Sequence, residues 1–334
     1  MTPNRPDAVL AMSPASAEMI LHPTVLARLQ GLTRLAPAIV TDFHDPAHTA
    51  ALARAELLFT CWGCPVLDAS ALDRMPRLRA VVHAAGTVRG HITDDVWHRD
   101  IAVTTAADAN AVPVAEYTVA AVLAAGKRIG AVARIERDRA FDRERWQQYF
   151  PTWGNYRTTV GIVGASRIGR RVIELLRPFD LDVLVADPYL TRAPAGSRLA
   201  DLDELAATAH VVSLHAPELP TTRHMFDRRR LALMPDGATL VNTARGALVD
   251  TRALTDELAS GRLHAVLDVT DPEPLPRDHP LRSLPNVLLT PHIAGSFGNE
   301  LERMAHAAAD EVERHTRGQP FRGAVRPEDL AHSA

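Results

Sequence analysis

Only two of the 334 residues are cysteine, Cys61 and Cys64, and only one is lysine, Lys127. The first scarcity excludes a disulfide framework and leaves no thiol set for zinc. The second leaves little material for Schiff-base chemistry. Excess positive charge is missing as well: 37 Lys and Arg stand against 40 Asp and Glu, a formal net charge of −3. The electrostatic footprint of a nucleic-acid binder is therefore absent. No apolar run approaches the roughly 20 residues that span a bilayer. Residues 1–20, interrupted by Pro3, Pro6 and Pro14, lack the apolar core of a signal peptide. There are no repeats and no low-complexity tract. These absences lead us to expect a cytoplasmic protein, without membrane or nucleic-acid partners. What is present is an ordinary globular composition, 46% apolar and 23% charged, long enough for two domains.

The most informative stretch is residues 160–169, Val-Gly-Ile-Val-Gly-Ala-Ser-Arg-Ile-Gly. Residues 158–163 are β-branched and apolar, as a buried strand requires. Gly164 turns the chain, and Ile168, Val172, Ile173 and Leu176 form one face of a helix that must stop at Pro178. Strand, glycine turn and helix N-terminus together make an anion site. The pattern is close to G-x-G-x-x-G, with Gly164 first, Gly169 last and Ser166 in place of the middle glycine. The Cβ of Ser166 crowds the approach of a pyrophosphate, and its hydroxyl offers a hydrogen bond in return. The next apolar run, residues 181–186, ends at Asp187, 23 positions after Gly164. A carboxylate there suits the ribose hydroxyls of NAD and repels a 2′-phosphate. The nucleoside-triphosphate alternative needs Lys followed by Ser or Thr, where this chain has Arg170 and Arg171.

Along the chain, strands are expected at 8–12, 39–40, 57–60, 78–83 and 101–104. Helices are expected at 24–30, stopped by Gly31, and at 47–55, with Asp45 as N-cap and Pro46 at the first position. An alanine-rich helix is expected at 114–123. Residues 131–157, rich in Arg and aromatic side chains, are read as a subunit interface. Strands resume at 158–163, 181–186, 211–215, 238–242, 263–268 and 286–290, with helices at 201–208 and 251–260. Residues 271–285 form a proline-rich loop. An amphipathic helix at 299–317 follows, expected to pack back on the first sheet. The alternation implies parallel α/β sheets.

Three segments end strands of the second sheet, where open α/β sheets bind ligands. Residues 241–246 place Arg245 as a planar fork for a carboxylate. Residues 267–274 carry Asp268 and Glu273. Residues 290–295 carry His292, whose imidazole can take or return a proton near neutrality.

These segments, in this order, resemble the D-2-hydroxyacid dehydrogenase family, NAD-dependent enzymes acting on acids such as phosphoglycerate, glyoxylate/hydroxypyruvate and D-lactate. The resemblance runs from about residue 103 to 293. It includes residues 109–116, the fingerprint at 160–169 with Asp187, residues 211–217 with Thr222, residues 242–250, Asp268 with Glu273 and Pro274, and residues 290–295. It implies an α/β fold of two Rossmann-like, doubly wound parallel-sheet domains. The substrate domain is discontinuous (1–118 and 295–334) around an NAD-binding domain (119–294). It also implies that Arg245 clamps the substrate carboxylate, that His292 is the acid/base and that Glu273 is its partner, favouring imidazolium. Cofactor contacts would come from Gly164, Ser166, Arg167, Ile168, Asp187, Pro217, Thr222, Thr243, Ala244, Asp268 and Gly295. Gly86 and Thr87 would hold the substrate carboxylate, in a loop that departs from the family's usual glycine run. Arg89 beside them is read as solvent-facing. A homodimer is implied, no metal is, and no regulatory domain is expected after the last helix.

Phosphite is a rival substrate; formate is disfavoured by the intact Arg245, Glu273 and His292. An NAD-sensing, corepressor-like binding protein is the rival of another class. The Cys61-x-x-Cys64 pair is read as part of a loop lining the cleft, with Trp62 shaping it, rather than as a redox pair. His44 and His48 are read as a helix start, not a metal site.

Overall fold

The computed structural model describes residues 5–130, 132–133 and 154–330. The interface expected within residues 131–157 falls almost wholly outside them. Two compact units result, cut between Ala111 and Val112 and again between Gly295 and Ser296.

The first unit is built on six strands: β1 (Asp7–Ala11), β2 (Arg34–Val40), β3 (Leu57–Thr60), β4 (Ala80–His83), β5 (Ala102–Thr105) and β13 (Ala324–Val325), in the order β13-β5-β4-β3-β1-β2. All neighbours are parallel except β13, which runs antiparallel to β5. The central strands are buried on both faces, which is why they read as unbroken apolar runs. One face is covered by Pro14–Ile20, Pro23–Leu32 and the returning helix Glu300–Thr316, whose Leu301, Met304, Ala308 and Val312 enter that core. The other face packs Phe43, Leu52, Leu72 and Val96.

The second unit holds seven parallel strands: β6 (Thr158–Val163), β7 (Leu181–Ala186), β8 (Arg198–Leu199), β9 (Val211–Leu214), β10 (Thr239–Asn242), β11 (His264–Leu267) and β12 (Val287–Leu289), in the order β12-β11-β10-β9-β6-β7-β8. The order reverses between β6 and β9, so the switch point where such sheets bind ligands lies at the ends of these two strands. Aspartates cap three of its helices: Asp201, Asp227 and Asp250 each accept an amide of the first turn. Each such cap contributes about 1 kcal/mol.

Three local expectations are corrected. The helix expected at 114–123 runs Ala107–Gly126 with Pro113 inside it, because the surrounding core holds the turn that proline weakens. This 20-residue helix, of mean hydropathy 1.2, is also long and apolar enough to cross a membrane, where no such stretch was expected. Its Ala115, Ala121 and Val122 are buried against β6 and β7 residues, as in a core helix. The helix expected at 47–55 is a 3-10 turn, Pro46–His48, followed by the short helix Thr49–Leu52; Asp45 does cap it. The helix expected to stop at Gly31 continues to Leu32.

Candidate active site

At the end of β6 the chain turns through Gly164, at φ 87°, a backbone region that disfavours any side chain. A Cβ there would also overlap the His215–Ala216 backbone leaving β9. A Cβ on Gly169 would overlap the Gly164 carbonyl, so the helix Arg167–Leu176 starts directly against the turn. The first amides of a helix have no partner within it, and here they open beside the switch point. Ser166 adopts φ −84° and ψ −130°, outside the usual helical and extended regions, and its side chain makes no capping bond. It is exposed, and its backbone takes a conformation that glycine would adopt more readily. Asp187 ends β7 and is tied to the same turn: Oδ2 accepts the Ala165 amide at 2.8 Å and Oδ1 the Tyr189 amide at 2.9 Å. Beyond β9, Thr222 closes a tight loop by donating to the Pro217 carbonyl at 2.6 Å. A helix start at the end of β6, a glycine-only passage and a carboxylate after the adjacent strand fit a dinucleotide diphosphate and its ribose.

The ends of β10, β11 and β12 are neighbours, with Asn242 opposite Leu267 and Leu267 opposite Leu289. Past β10, the buried Asn242 side chain shapes the turn, donating to the Arg245 carbonyl and accepting the Ala244 amide. Thr243 donates to Thr118, whose own hydroxyl donates to the Val114 carbonyl. Arg245 is half-buried on this turn, and Nη1 donates to the Ala244 carbonyl at 2.6 Å. A Cβ on Gly246 would overlap the Thr270 carbonyl, so glycine lets the Arg245 turn and the loop after β11 meet.

Past β11, the Asp268 carboxylate is 2% exposed. Its Oδ1 accepts the Thr290 hydroxyl at 2.7 Å and the Ile293 amide at 2.8 Å; Oδ2 accepts the Ala294 amide at 2.8 Å. Its own carbonyl accepts the His292 amide at 2.9 Å. Since Thr290 donates to Asp268, the Tyr117 hydroxyl 2.7 Å away donates to Thr290. Asp268 therefore buckles the segment that carries His292. His292 itself sits at φ 57°, a left-handed backbone unfavourable for a histidine by about 1–2 kcal/mol. Its Nδ1 lies 2.7 Å from Glu273 Oε1, with the two side chains 51% and 42% exposed. A carboxylate only accepts, so Nδ1 carries the proton and Nε2 is left open to a substrate. Arg245, Glu273 and His292 thus share one end of one sheet, and Glu273 and His292 touch. Among the described residues no group of three metal-ligating side chains occurs, and His44 and His48 form none.

In the first unit, Gly86 and Thr87 follow β4. Gly86 packs on Asn110, whose Oδ1 accepts the Ser296 amide at 2.8 Å. Arg89 is exposed and donates to the Leu330 carbonyl. The same loop is flanked by two buried histidines that sequence reasoning passed over, His83 and His91, with ring centroids 4.5 Å apart. Burial pushes their pKa values down to about 3 and about 4, and at His83 the charge of His91 lowers it further. Cys61 and Cys64 are free thiols, both pushed up to about 12 by burial, the opposite of what a redox thiol needs.

Fold and site together define an α/β protein of two parallel-sheet units, the second with a glycine turn and switch point suited to a dinucleotide. The model of the "D-isomer specific 2-hydroxyacid dehydrogenase, NAD binding domain" matches residues 119–294. A glyoxylate reductase of Thermofilum pendens is 37% identical over 251 residues, 73% of each chain. A D-3-phosphoglycerate dehydrogenase of Methanocaldococcus jannaschii is 33% identical over 254 residues, which cover 74% of this chain and 47% of that one. The chain thus spans about half the length of that relative. A solved protein of Thermus thermophilus superposes with a TM-score of 0.74 at 31% identity, over 96% of this chain and 99% of that one. The chain belongs to the D-isomer specific 2-hydroxyacid dehydrogenase family.

Proposed function

We propose that the protein interconverts a D-2-hydroxy acid and its 2-keto acid with NAD as partner. The observation that carries this reading is the Glu273–His292 pair, 2.7 Å apart at the strand ends beside the Arg245 turn. NAD, when bound at the glycine turn, supplies the hydride acceptor. The chain's own residues do the rest. The Arg245 guanidinium binds the substrate carboxylate through its planar fork and polarises the C2 oxygen. His292 Nε2 removes the hydroxyl proton in oxidation and returns it in reduction. Glu273 accepts from Nδ1 throughout, which fixes the tautomer and orients the ring. Asp268 acts here by holding the His292 segment, and Thr243 and Ala244 would help hold the nicotinamide dinucleotide. Asp187 selects NAD over NADP by repelling the 2′-phosphate. Gly86 and Thr87 bind the substrate in the same reading. Residues 1–118 with 295–334 form the substrate domain around the NAD domain at 119–294, and the chain works as a homodimer.

A panel of glyoxylate, hydroxypyruvate, phenylpyruvate and oxaloacetate, followed by NADH absorbance at 340 nm, tests the activity. Reduction of any of them supports the reading. Tight NADH binding without reduction of any would favour an NAD-sensing role instead.

A further inference from the structure

We infer that Arg282 is a positioning residue for the acid–base pair, bracing the loop that holds Glu273 against His292; this rests on the reading of those two residues given above.

Among the described residues the Glu273 side chain makes one hydrogen bond, to His292. It is also substantially exposed, so the place of its carboxylate is set by the backbone beneath it. That backbone is poor in means to hold itself. Pro272, Pro274 and Pro276 alternate through it, and each lacks an N–H. One main-chain bond remains, from the His279 amide to the Pro276 carbonyl at 3.2 Å, and side chains supply the others. Before Glu273 they come from Thr251, which donates to the Asp271 carbonyl at 2.7 Å, and Thr270, which donates to the Pro272 carbonyl at 2.9 Å. After Glu273 they come from Arg282. Its Nη2 donates to the Leu275 carbonyl at 2.6 Å and its Nε to the Pro276 carbonyl at 2.9 Å.

The two donors of a guanidinium edge are parallel and rigidly spaced, which suits two successive carbonyls. Arg282 is itself fixed by the 3-10 turn Pro280–Arg282, where Leu281 is buried and the His279 side chain caps the Leu281 amide. It joins no ion pair among the described residues, so no carboxylate competes for the fork. Arg282, Leu275, Glu273, His292, Asp268 and Thr290 line one cavity of about 420 Å³. The brace and the pair therefore belong to one local structure.

The test compares wild type, Arg282→Met, Arg282→Lys, Glu273→Gln and the double variant E273Q/R282M, with glyoxylate and NADH as reactants. Methionine keeps the stem's volume and removes the fork. We expect R282M to lower kcat about 10- to 100-fold with NADH affinity unchanged, because displacement of a catalytic group by about 1 Å has effects of this size. R282K, with a single point donor, recovers part of the loss. In the E273Q background R282M costs less than about twofold, since no carboxylate remains to be placed. Without cofactor, the His292 ring titration followed by side-chain NMR moves in the same direction in R282M as in E273Q. Equal cost of R282M in both backgrounds overturns the proposal, as does full kcat in an R282M protein with unchanged Tm. A His292 titration moved by E273Q but not by R282M also overturns it. Full activity in E273Q would overturn the acid–base reading instead, and the NMR comparison would still decide the brace.

Discussion

The main-chain carbonyl and both carboxylate oxygens of Asp268 grip residues 290–294, and His292 hangs in the middle of that grip with its amide 2.9 Å from the Asp268 carbonyl. A buried carboxylate that accepts three hydrogen bonds cannot be replaced by a carboxamide without turning an N–H towards another N–H. Asp268→Asn should therefore cost about 2–3 kcal/mol of stability, the scale of a lost charged hydrogen bond with an unsatisfied donor. It should also lower kcat together with Tm. Urea denaturation and steady-state kinetics on one preparation check this. A variant with wild-type stability and turnover would mean that the buckle is dispensable.

His292→Ala should lower kcat by about 10²–10⁴, the usual contribution of a positioned acid or base, while NADH still binds. Glu273→Gln keeps the shape and removes the charge, so it should lose less. The carboxamide can turn its N–H towards Nδ1, so the ring loses its fixed orientation. Stopped-flow reduction with wild type and both variants checks this, and an unchanged rate in Glu273→Gln would mean that the pair does not act as proposed.

Asp187 should set cofactor choice. Replacing it with alanine removes both the repulsion of a 2′-phosphate and the acceptor for the Ala165 amide. The ratio of kcat/KM with NADH to that with NADPH should fall by about tenfold or more, one such charge contact being worth over 1 kcal/mol. NADH affinity should weaken too, because the turn loses its tie. An unchanged ratio would remove Asp187 from the selectivity argument.

Acid should weaken the first unit through His83 and His91. Their folded values, about 3 and about 4, lie below the 6.5 of an exposed histidine, so the folded state refuses protons that the unfolded chain accepts. The stability they contribute is complete above pH 6.5 and declines as pH falls towards 4 and then 3. Denaturation midpoints measured from pH 7.5 to 4 should slope downward, and His83→Phe or His91→Phe should flatten that slope. Equal slopes in wild type and variants would count against it.

Much of this architecture could be read from residue order because parallel strands buried on both faces are apolar throughout, and aspartate caps with glycine stops mark the helices between them. Residues 181–186 and 158–163 fall on β7 and β6 without a shift. Short helices were lost where the pattern is too brief to show a period: Pro14–Ile20, Ala69–Asp73, Asp94–His98 and Arg228–Leu233 have five to seven residues each. Pro113 disguised the true start of its helix. In the site, Arg245, Glu273 and His292 announce themselves by residue type at strand ends. Their supports do not. Tyr117 and Arg282 lie 173 residues before Thr290 and seven after Leu275, and nothing in an isolated tyrosine or arginine says what it touches. The buried pair His83 and His91 was equally silent, since His83 ends β4 and His91 lies in the loop beyond it, and no repeat along one element brings them together.

The left-handed turn at residue 292 also narrows the routes by which this lineage can change. Valine, isoleucine or threonine there would strain the main chain, whereas glycine or asparagine would slip in at little cost. A descendant that abandons proton transfer should therefore carry one of those two small residues, and its decay would leave a recognisable scar in the gene.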